Sequence, residues 1–191
     1  MWTRVVNDVI GPLWMGIFII WAISGLNTKR TVGSASDTRA RISLGGVLLG
    51  WLILFNRWFR PGVLGERFVS IGPGVVYTGT ALTAVGLGFA LWARFTIGRN
   101  WGRLITVQED HQLTRTGPYA IVRHPIYSGF MLATFGTALA IGEVGGLVST
   151  ALVVISWGYK SRLEERYMIE HFGTEYEQYR QQVSGLLPGI W

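Results

Sequence analysis

Five apolar segments run along this chain, and they decide what it can fold into. A helix needs about 20 mostly apolar residues to cross the hydrocarbon core of a bilayer. The segments are residues 9–26, 42–59, 71–93, 127–141 and 144–157. The last two are short and separated only by Gly142 and Glu143, which predicts an antiparallel helix hairpin. The pattern therefore predicts an all-α fold: an integral membrane bundle of about five transmembrane helices.

Composition supports a membrane protein and excludes several other classes. Charged residues make up 15% of the chain, against about 25% in soluble proteins. The net charge of +6 lies between the apolar segments and not along one stripe, so we do not expect a nucleic-acid partner. The absence of cysteine excludes disulfides and thiolate chemistry, and the three histidines, at positions 111, 124 and 171, lack metal-ligand spacing. The first apolar segment has no small-residue cleavage site after it, which indicates a retained helix and not a signal peptide.

The basic residues predict the orientation of the bundle. With five spans, one side carries four of them, at positions 4, 57, 60 and 67, and the other side carries the remaining 13. Because cytoplasmic loops are enriched in Lys and Arg, we expect the amino terminus outside and the carboxyl terminus in the cytoplasm of a cell inner (plasma) membrane. Both long polar stretches, residues 94–126 and 158–191, then share the cytoplasmic face.

A polar cluster at the start of the fourth apolar segment is the least expected feature of the sequence. Residues 115–129 read RTGPYAIVRHPIYSG. Pro118 and Pro125 interrupt helix formation, and each restricts the residue before it to extended geometry. The backbone around His124 then has polar groups outside a regular helix, which at membrane depth is tolerated where it lines a cavity. We therefore predict that this segment forms the wall of a ligand pocket.

The carboxy-terminal stretch predicts a helix that extends into the cytoplasm, followed by a short helix that folds back against the bundle or lies at the membrane interface. Residues 158–172 contain no helix breaker, Gly173 fits a helix stop, and Thr174 with Glu177 fits a capping box. Tyr176, Tyr179 and Val183 share one face of the next helix. Arg162 lies three residues before Glu165, close enough to pair with it. The third apolar segment carries the small residues Gly74, Gly79, Gly86 and Gly88, for which close helix packing is one explanation. Its Gly86 and Gly88 would admit close approach of a neighbouring helix or of a ligand.

Together, GPYAIVRHPIYSG and the later EERYMIEHFGTEYEQYRQQVSGLLPGI resemble the isoprenylcysteine carboxyl methyltransferase family, integral membrane enzymes related to phospholipid methyltransferases. The resemblance covers about residues 86–191, and the compact chain resembles a prokaryotic member. It implies a cytoplasmic carboxy-terminal region that binds S-adenosyl-L-methionine. It also divides the chain into two amino-terminal helices, residues 1–70, and a methyltransferase core, residues 71–191.

The same resemblance implies roles for individual residues. Arg123 and Arg162 match arginines that hold the reacting end of the acceptor. The positions that match cofactor contacts are Gln108, Gly117, Pro118, Tyr119, Val122, His124, Pro125, Tyr127, Gly129, Glu164 and Glu165. Such a cofactor carries both signs of charge, so carboxylates and aromatic faces suit its binding.

The acceptor implied by the resemblance is lipophilic, a small molecule or a lipidated group that enters from the membrane lipid. A carboxylate acceptor is ionised at pH 7, needs no general base and suits a two-point contact with arginine. An amine, as in phospholipid N-methylation, is the alternative acceptor. Two other functions stay open: an NADPH-dependent membrane reductase of the sterol reductase type, which shares the Arg-His-Pro-x-Tyr pattern, and a non-enzymatic channel or assembly subunit.

Overall fold

The chain folds into a bundle of antiparallel helices in a computed structural model that describes residues 6–26, 31–34, 38–101, 106–108 and 113–189. We number the helices α1 (Gly11–Ser24, preceded by a π-helical turn Val6–Ile10), α2 (Thr38–Phe55), α3 (Pro73–Ile97), α4 (Pro125–Ile141), α5 (Val144–Phe172) and α6 (Thr174–Gln182). A short antiparallel ribbon, β1 (Thr31–Ser34) with β2 (Thr106–Gln108), was not predicted. The helical bundle itself is confirmed.

Within the part of the chain that the structure describes, two helices are long and apolar enough to cross a membrane: α2, and α3 with the 3₁₀ turn that extends it to Asn100. The apolar helices α1 and α4 are shorter, and the 17 residues of α4 span about 25 Å. The predicted count of five spans therefore stays a prediction. The second helix ends four residues earlier than predicted, because Asn56 accepts a hydrogen bond from the backbone of Trp58 and starts a 3₁₀ turn (Arg57–Phe59).

Glycines bring α3 and α4 into backbone contact. A Cβ atom on Gly86 would lie 2.5 Å from the backbone nitrogen of Ala133 and 2.5 Å from the carbonyl oxygen of Gly129. Gly79 and Gly136 form an equivalent contact farther along the same pair of helices. The predicted packing role is thus confirmed for Gly79 and Gly86. Gly88 has no atom within 4 Å of its Cβ position and takes no part in the contact.

The bundle interior combines aromatic rings with a few bonded hydroxyl groups. Trp14 of α1 donates its indole N–H to Thr137 of α4 at 2.9 Å, and Thr137 lies 3.1 Å from the hydroxyl of Thr83 on α3. Trp51 of α2 donates to Thr134 at 3.2 Å. Lipid tails cannot form hydrogen bonds with these polar groups, so the groups bond one another inside the bundle. These hydrogen bonds hold α1 and α2 against the α3–α4 pair.

The helix directions bring the carboxy-terminal ends of α1 and α3, the start of α2 and the polar half of α5 to one end of the bundle. Arg94, near the end of α3, donates to the carbonyl of Ser24 at the end of α1 (2.6 Å). Ala40 at the start of α2 packs against Leu163 on the carboxy-terminal half of α5. The α4–α5 turn closes the opposite end, where Gly142 adopts a positive φ of 72°. The predicted hairpin is therefore confirmed, and the polar end of the bundle collects residues from every helix.

Candidate active site

The site lies where the segment before α4 meets the carboxy-terminal half of α5. Gly117 begins a 3₁₀ turn (Gly117–Ala120) with a φ of 59°, and its Cβ position lies 3.4 Å from the side chain of Thr96 on α3. Pro125 starts α4, and His124 before it is non-helical, as the proline requires. These breaks aim the side chains of Arg123, His124 and Tyr127 at α5.

Glu165 is the most enclosed carboxylate of the cluster. Its side chain is 7% exposed, and its Oε1 accepts hydrogen bonds from Arg123 Nη2 at 2.6 Å and Nε at 2.9 Å. The same oxygen lies 3.2 Å from Nε2 of His124. Arg123 therefore takes the place that the helical spacing suggested for Arg162 as the partner of Glu165. Arg123 lies 42 residues from Glu165 in the sequence, and Arg162 is exposed on the helix.

Glu164 forms the second half of the cluster. Its Oε1 accepts a hydrogen bond from the hydroxyl of Tyr127 at 2.5 Å and lies 3.4 Å from the ammonium of Lys160. Its Oε2 lies 3.5 Å from Nδ1 of His124. The imidazole of His124 therefore bridges the two adjacent carboxylates, one at each ring nitrogen.

The electrostatics of the cluster lower the pKa of both carboxyl groups and raise the pKa of the histidine. Burial opposes ionisation of Glu164, but the charge of Lys160 and the bonds to His124 and Tyr127 lower its pKa to about 2. Burial likewise opposes ionisation of Glu165, and His124 and Arg123 together lower its pKa. Burial disfavours the imidazolium, yet the hydrogen bonds that His124 donates to both carboxylates, together with their negative charges, raise the pKa of His124. The cluster thus holds two carboxylates beside the cations of Arg123 and Lys160 and beside a histidine whose pKa is raised.

Aromatic rings enclose the charged groups. His124, Tyr127 and Trp157 stack in sequence, with ring centroids 5.7 Å and 5.4 Å apart. The ammonium of Lys160 lies 5.3 Å from the centroid of the Tyr127 ring. Such faces suit a cation, whether from the protein or from a ligand.

Helix α6 folds back onto the site, which is one of the two placements predicted for it. Tyr176 and Tyr179 are buried on one face, and the hydroxyl of Tyr179 donates to the carbonyl of Tyr119 at 2.5 Å. Burial raises the pKa of Tyr179 to about 12, so this hydroxyl stays a hydrogen-bond donor at neutral pH. The capping-box prediction is wrong: the N-cap is Gly173, and no side chain caps α6, because backbone amides of Tyr176 and Glu177 already bond the Gly173 carbonyl.

The irregular backbone before α4 is satisfied by the chain itself. The amide of Arg123 donates to the carbonyl of Ser184 at 2.8 Å, and that of His124 to Gly185 at 3.0 Å. The hydroxyl of Ser128 donates to the carbonyl of Leu186 at 2.5 Å. The expectation that these backbone groups face a ligand cavity is thus corrected: residues 184–186 cover them.

The other predicted residues fall into three groups. Pro118, Tyr119, Val122 and Pro125 are buried in the segment that forms the site wall. Gly129 is buried against α3, where its Cβ position lies 2.6 Å from the carbonyl oxygen of Gly86, so close helix packing accounts for it. Gln108 lies in β2, opposite Thr31, and its side chain falls outside the described part of the chain.

Two ionic features were missed by the sequence reasoning. Lys160 is 9% exposed and belongs to the cluster, and its spacing of four residues from Glu164 was the available signal. At the opposite end of the bundle Arg60 binds Glu143 at 2.7 Å. That pair joins the α2–α3 connection to the α4–α5 turn, and no sequence pattern indicated it.

Comparison with known proteins agrees with this geometry. A family model described as phospholipid methyltransferase matches residues 75–175, which is 101 of the 191 residues and includes the segments that form the cluster. The chain belongs to the phospholipid methyltransferase family. Its relatives also confirm the resemblance to isoprenylcysteine methyltransferases noted in the sequence.

Three methyltransferases illustrate the range of proteins that this chain resembles. Protein-S-isoprenylcysteine O-methyltransferase of Schizosaccharomyces pombe is 35% identical over 123 residues, covering 60% of this chain and 51% of that protein. Protein-S-isoprenylcysteine O-methyltransferase B of Arabidopsis thaliana is 34% identical over 139 residues, covering 69% and 66%. Methanethiol S-methyltransferase 1 of Bradyrhizobium diazoefficiens is 44% identical over 70 residues, covering 37% and 24%.

A solved structure shares the fold. The eukaryotic intramembrane Ras methyltransferase, an isoprenylcysteine carboxyl methyltransferase, superposes with a TM-score of 0.55 at 25% identity, covering 83% of this chain and 55% of that chain. The chain spans between about half and two thirds of the length of the isoprenylcysteine methyltransferases described above. Their activities therefore come to this chain only as proposals.

Proposed function

We propose that the chain transfers a methyl group from S-adenosyl-L-methionine to a lipophilic acceptor at the cytoplasmic face of a membrane, by O-methylation of a carboxylate. The observation that carries this proposal is the convergence of two distant segments, with the hydroxyl of Tyr127 2.5 Å from Glu164 and His124 between Glu164 and Glu165. The family match favours this function over an NADPH-dependent reductase.

The donor set fits the proposed cofactor. S-adenosyl-L-methionine has a sulfonium, an ammonium, a carboxylate and ribose hydroxyls, so its site needs both signs of charge. Glu164 and Glu165 supply buried carboxylates for the cationic groups or the hydroxyls. The face of Tyr127 suits a sulfonium, and Lys160 supplies a cation beside it. When bound, the cofactor supplies an electrophilic methyl group.

The remaining cofactor residues are proposed to shape the site. Tyr119 and Val122, with Gly117, Pro118 and Pro125, form the wall that α6 covers. Gln108 precedes this wall along the chain and is proposed to approach the adenine side. Gly129 is proposed to act through the α3–α4 contact that fixes the start of α4.

The protein's own part in the reaction is alignment and exclusion of water. Methyl transfer to a carboxylate joins an anion to a cationic donor, so no proton has to move in the step. The side chains of His124, Tyr127 and Glu164 fix one another by hydrogen bonds, which reduces the reorganisation needed to orient bound groups. The covering residues 184–186 keep bulk water from the buried charges.

A second acceptor class has its own support. The 44% identity with a methanethiol S-methyltransferase covers 70 residues and favours a thiol acceptor as the alternative. A thiolate, like a carboxylate, is an anion, and Lys160 provides a buried cation near the site for either. Arg162, on the exposed side of α5, is proposed to attract the anionic acceptor from the membrane surface.

The bundle is proposed to lie in a cell inner (plasma) membrane with its amino terminus outside. The distribution of basic residues supports this orientation. Residues 71–191 are proposed as the methyltransferase core, and residues 1–70 as helices that complete the wall toward the lipid. The packing of α2 against α5 and of Trp14 against α4 supports that role.

Transfer of a labelled methyl group tests the proposed function and separates the acceptors. The purified full chain is incubated with methyl-labelled S-adenosyl-L-methionine and a native membrane extract, and the lipophilic products are treated with base. A methyl ester releases labelled methanol, whereas a thioether or a methylated amine keeps the label. We expect base-labile label with wild type and with Glu170→Ala, whose side chain is exposed on α5, and none with Glu165→Ala. Absence of labelled lipophilic product from wild type would remove the proposed function.

A further inference from the structure

The guanidinium of Arg123 is directed entirely at its own chain. Its side chain is 3% exposed. Nε and Nη2 donate to Oε1 of Glu165, and Nη1 donates to the carbonyl of Arg180 at 3.1 Å and to the carbonyl of Val183. A guanidinium has five N–H groups, and these contacts use four of them. Little donor capacity is left for a substrate.

These hydrogen bonds hold one carboxylate oxygen of Glu165, Oε1, and do not involve the other, Oε2. Oε1 accepts both bonds from Arg123 and lies against His124. Within residues 6–189 as far as the structure describes them, no hydrogen bond is made to Oε2. A carboxylate anchored through one oxygen presents the second in a fixed direction, which suits a single strong contact with a bound cation or hydroxyl.

The same arginine docks the carboxy-terminal segment, residues 183–186. Its backbone amide bonds Ser184, its side chain bonds Val183, and the segment runs parallel to residues 122–124 with a bridge between Val122 and Ser184. Leu186, 7% exposed, then anchors the segment in the apolar core. Arg123 thus links a carboxylate on α5, the segment before α4 and the segment after α6.

We propose that Arg123 is a positioning residue, which orients Glu165 and docks residues 183–186 over the site, and that it does not hold the methyl acceptor. This rests on the proposed function for the role of Glu165 as a cofactor ligand. If the guanidinium turned to an acceptor, the buried carboxylate of Glu165 would lose its main compensating charge, which is strongly unfavourable. The assignment replaces the role that the sequence resemblance implied for this arginine.

The first readout needs no ligand. Hydrogen–deuterium exchange of the solubilised full chain compares wild type, Arg123→Met and Arg115→Met. Arg115 is the matched control, because it pairs with Glu175 at 2.6 Å on the surface of the same polar stretch. We expect roughly tenfold or faster exchange in peptides covering residues 122–128 and 183–189 for Arg123→Met only. Unchanged exchange in that variant would overturn the docking role.

The second readout is the binding of S-adenosylhomocysteine as a function of pH. Arg123 and His124 lower the pKa of Glu165 against its burial, and the other titratable groups around this carboxyl are Tyr176 and Tyr179 of α6 and its neighbour Glu164. In Arg123→Met we expect weaker binding, with the acid limb of the pH profile displaced to higher pH. Arg115→Met should keep the wild-type profile.

The lysine variant separates charge from geometry. Arg123→Lys keeps the cation and should restore most of the acid limb. A single ammonium cannot reach the carboxylate and both carbonyls, so residues 183–189 should still exchange faster than in wild type. If Arg123→Met does not fold, the exchange of Arg123→Lys alone tests whether Arg123 docks residues 183–186. Wild-type exchange in Arg123→Lys would overturn the proposal.

The outcomes also distinguish this inference from the proposed function. If wild type does not bind S-adenosylhomocysteine, the proposed function fails, and the exchange data still decide whether Arg123 docks the segment. If Arg123→Met binds S-adenosylhomocysteine with wild-type affinity and pH profile but loses methyl transfer, the arginine holds the acceptor and the positioning role is wrong.

Discussion

Replacing Gly86 by alanine should destabilise the bundle, whereas replacing Gly88 by alanine should not. The added methyl on Gly86 would meet the backbone of Gly129 and Ala133 at 2.5 Å. Since real Cβ contacts are not shorter than about 3.0 Å and ordinary contact begins near 3.4 Å, α3 and α4 would have to separate by about 0.5 to 0.9 Å. Gly88, on the same helix, has open space at its Cβ position and is the matched control.

The expected loss of stability is the difference between the effects of Gly86→Ala and of the control Gly88→Ala. Both substitutions gain the same intrinsic helix preference, up to about 1 kcal/mol, so this gain cancels between them. The remaining difference is the cost of overpacking, about 1–3 kcal/mol. For a chain of this length that corresponds to a melting temperature roughly 2–12 °C lower for Gly86→Ala than for Gly88→Ala.

Intrinsic tryptophan fluorescence during heating is a suitable assay, since the chain has nine tryptophans and no cysteine for thiol dyes. Both variants are measured in one detergent at one protein concentration. The contact also fixes the start of α4, which carries Tyr127, so Gly86→Ala should bind S-adenosylhomocysteine less tightly than Gly88→Ala. A Gly86→Ala protein that melts at or above the temperature of Gly88→Ala would refute the close-contact argument.

Two further predictions concern the polar cluster. Tyr127→Phe removes the hydrogen bond to Glu164 but keeps the ring, so the dissociation constant for S-adenosylhomocysteine, measured by calorimetry, should rise about tenfold or more; unchanged affinity would show that the hydroxyl has no part in binding. The pKa of Glu164 is lowered from 4.5 to about 2, so its contribution to stability is complete above pH 4.5 and is lost as the pH falls toward 2. Thermal unfolding measured across that interval should depend less steeply on pH in Glu164→Gln than in wild type, and equal slopes would contradict the assignment.

Local patterns predicted the elements of the fold well. The short Gly142–Glu143 interruption predicted the hairpin, and Gly173 predicted the end of α5, because both signals depend only on neighbouring residues. The face of Tyr176 and Tyr179 followed from helical spacing, whereas Val183, predicted on the same face, lies beyond the end of α6 in extended geometry. The capping box failed since Thr174 and Glu177 compete with a backbone carbonyl that satisfies the same amides.

The partners within the site were harder to predict. Helical spacing suggested Arg162 as the partner of Glu165, yet Arg123 reaches that carboxylate from 42 residues away. The choice depends on which side of α5 faces α4, and sequence spacing alone does not fix that rotation. The covering of Arg123 and His124 by residues 184–186 depends likewise on a tertiary contact. Family resemblance pointed to segments that the structure brings together, and the structure determined which groups within them meet.

Calorimetric titration of the purified chain with S-adenosylhomocysteine tests the central claim most directly. The account predicts saturable binding to wild type and to Glu170→Ala, much weaker binding to Glu165→Ala, and no saturable binding of NADPH to any of the three. Saturable binding of NADPH without binding of S-adenosylhomocysteine, or equal affinity of wild type and Glu165→Ala for S-adenosylhomocysteine, would contradict it.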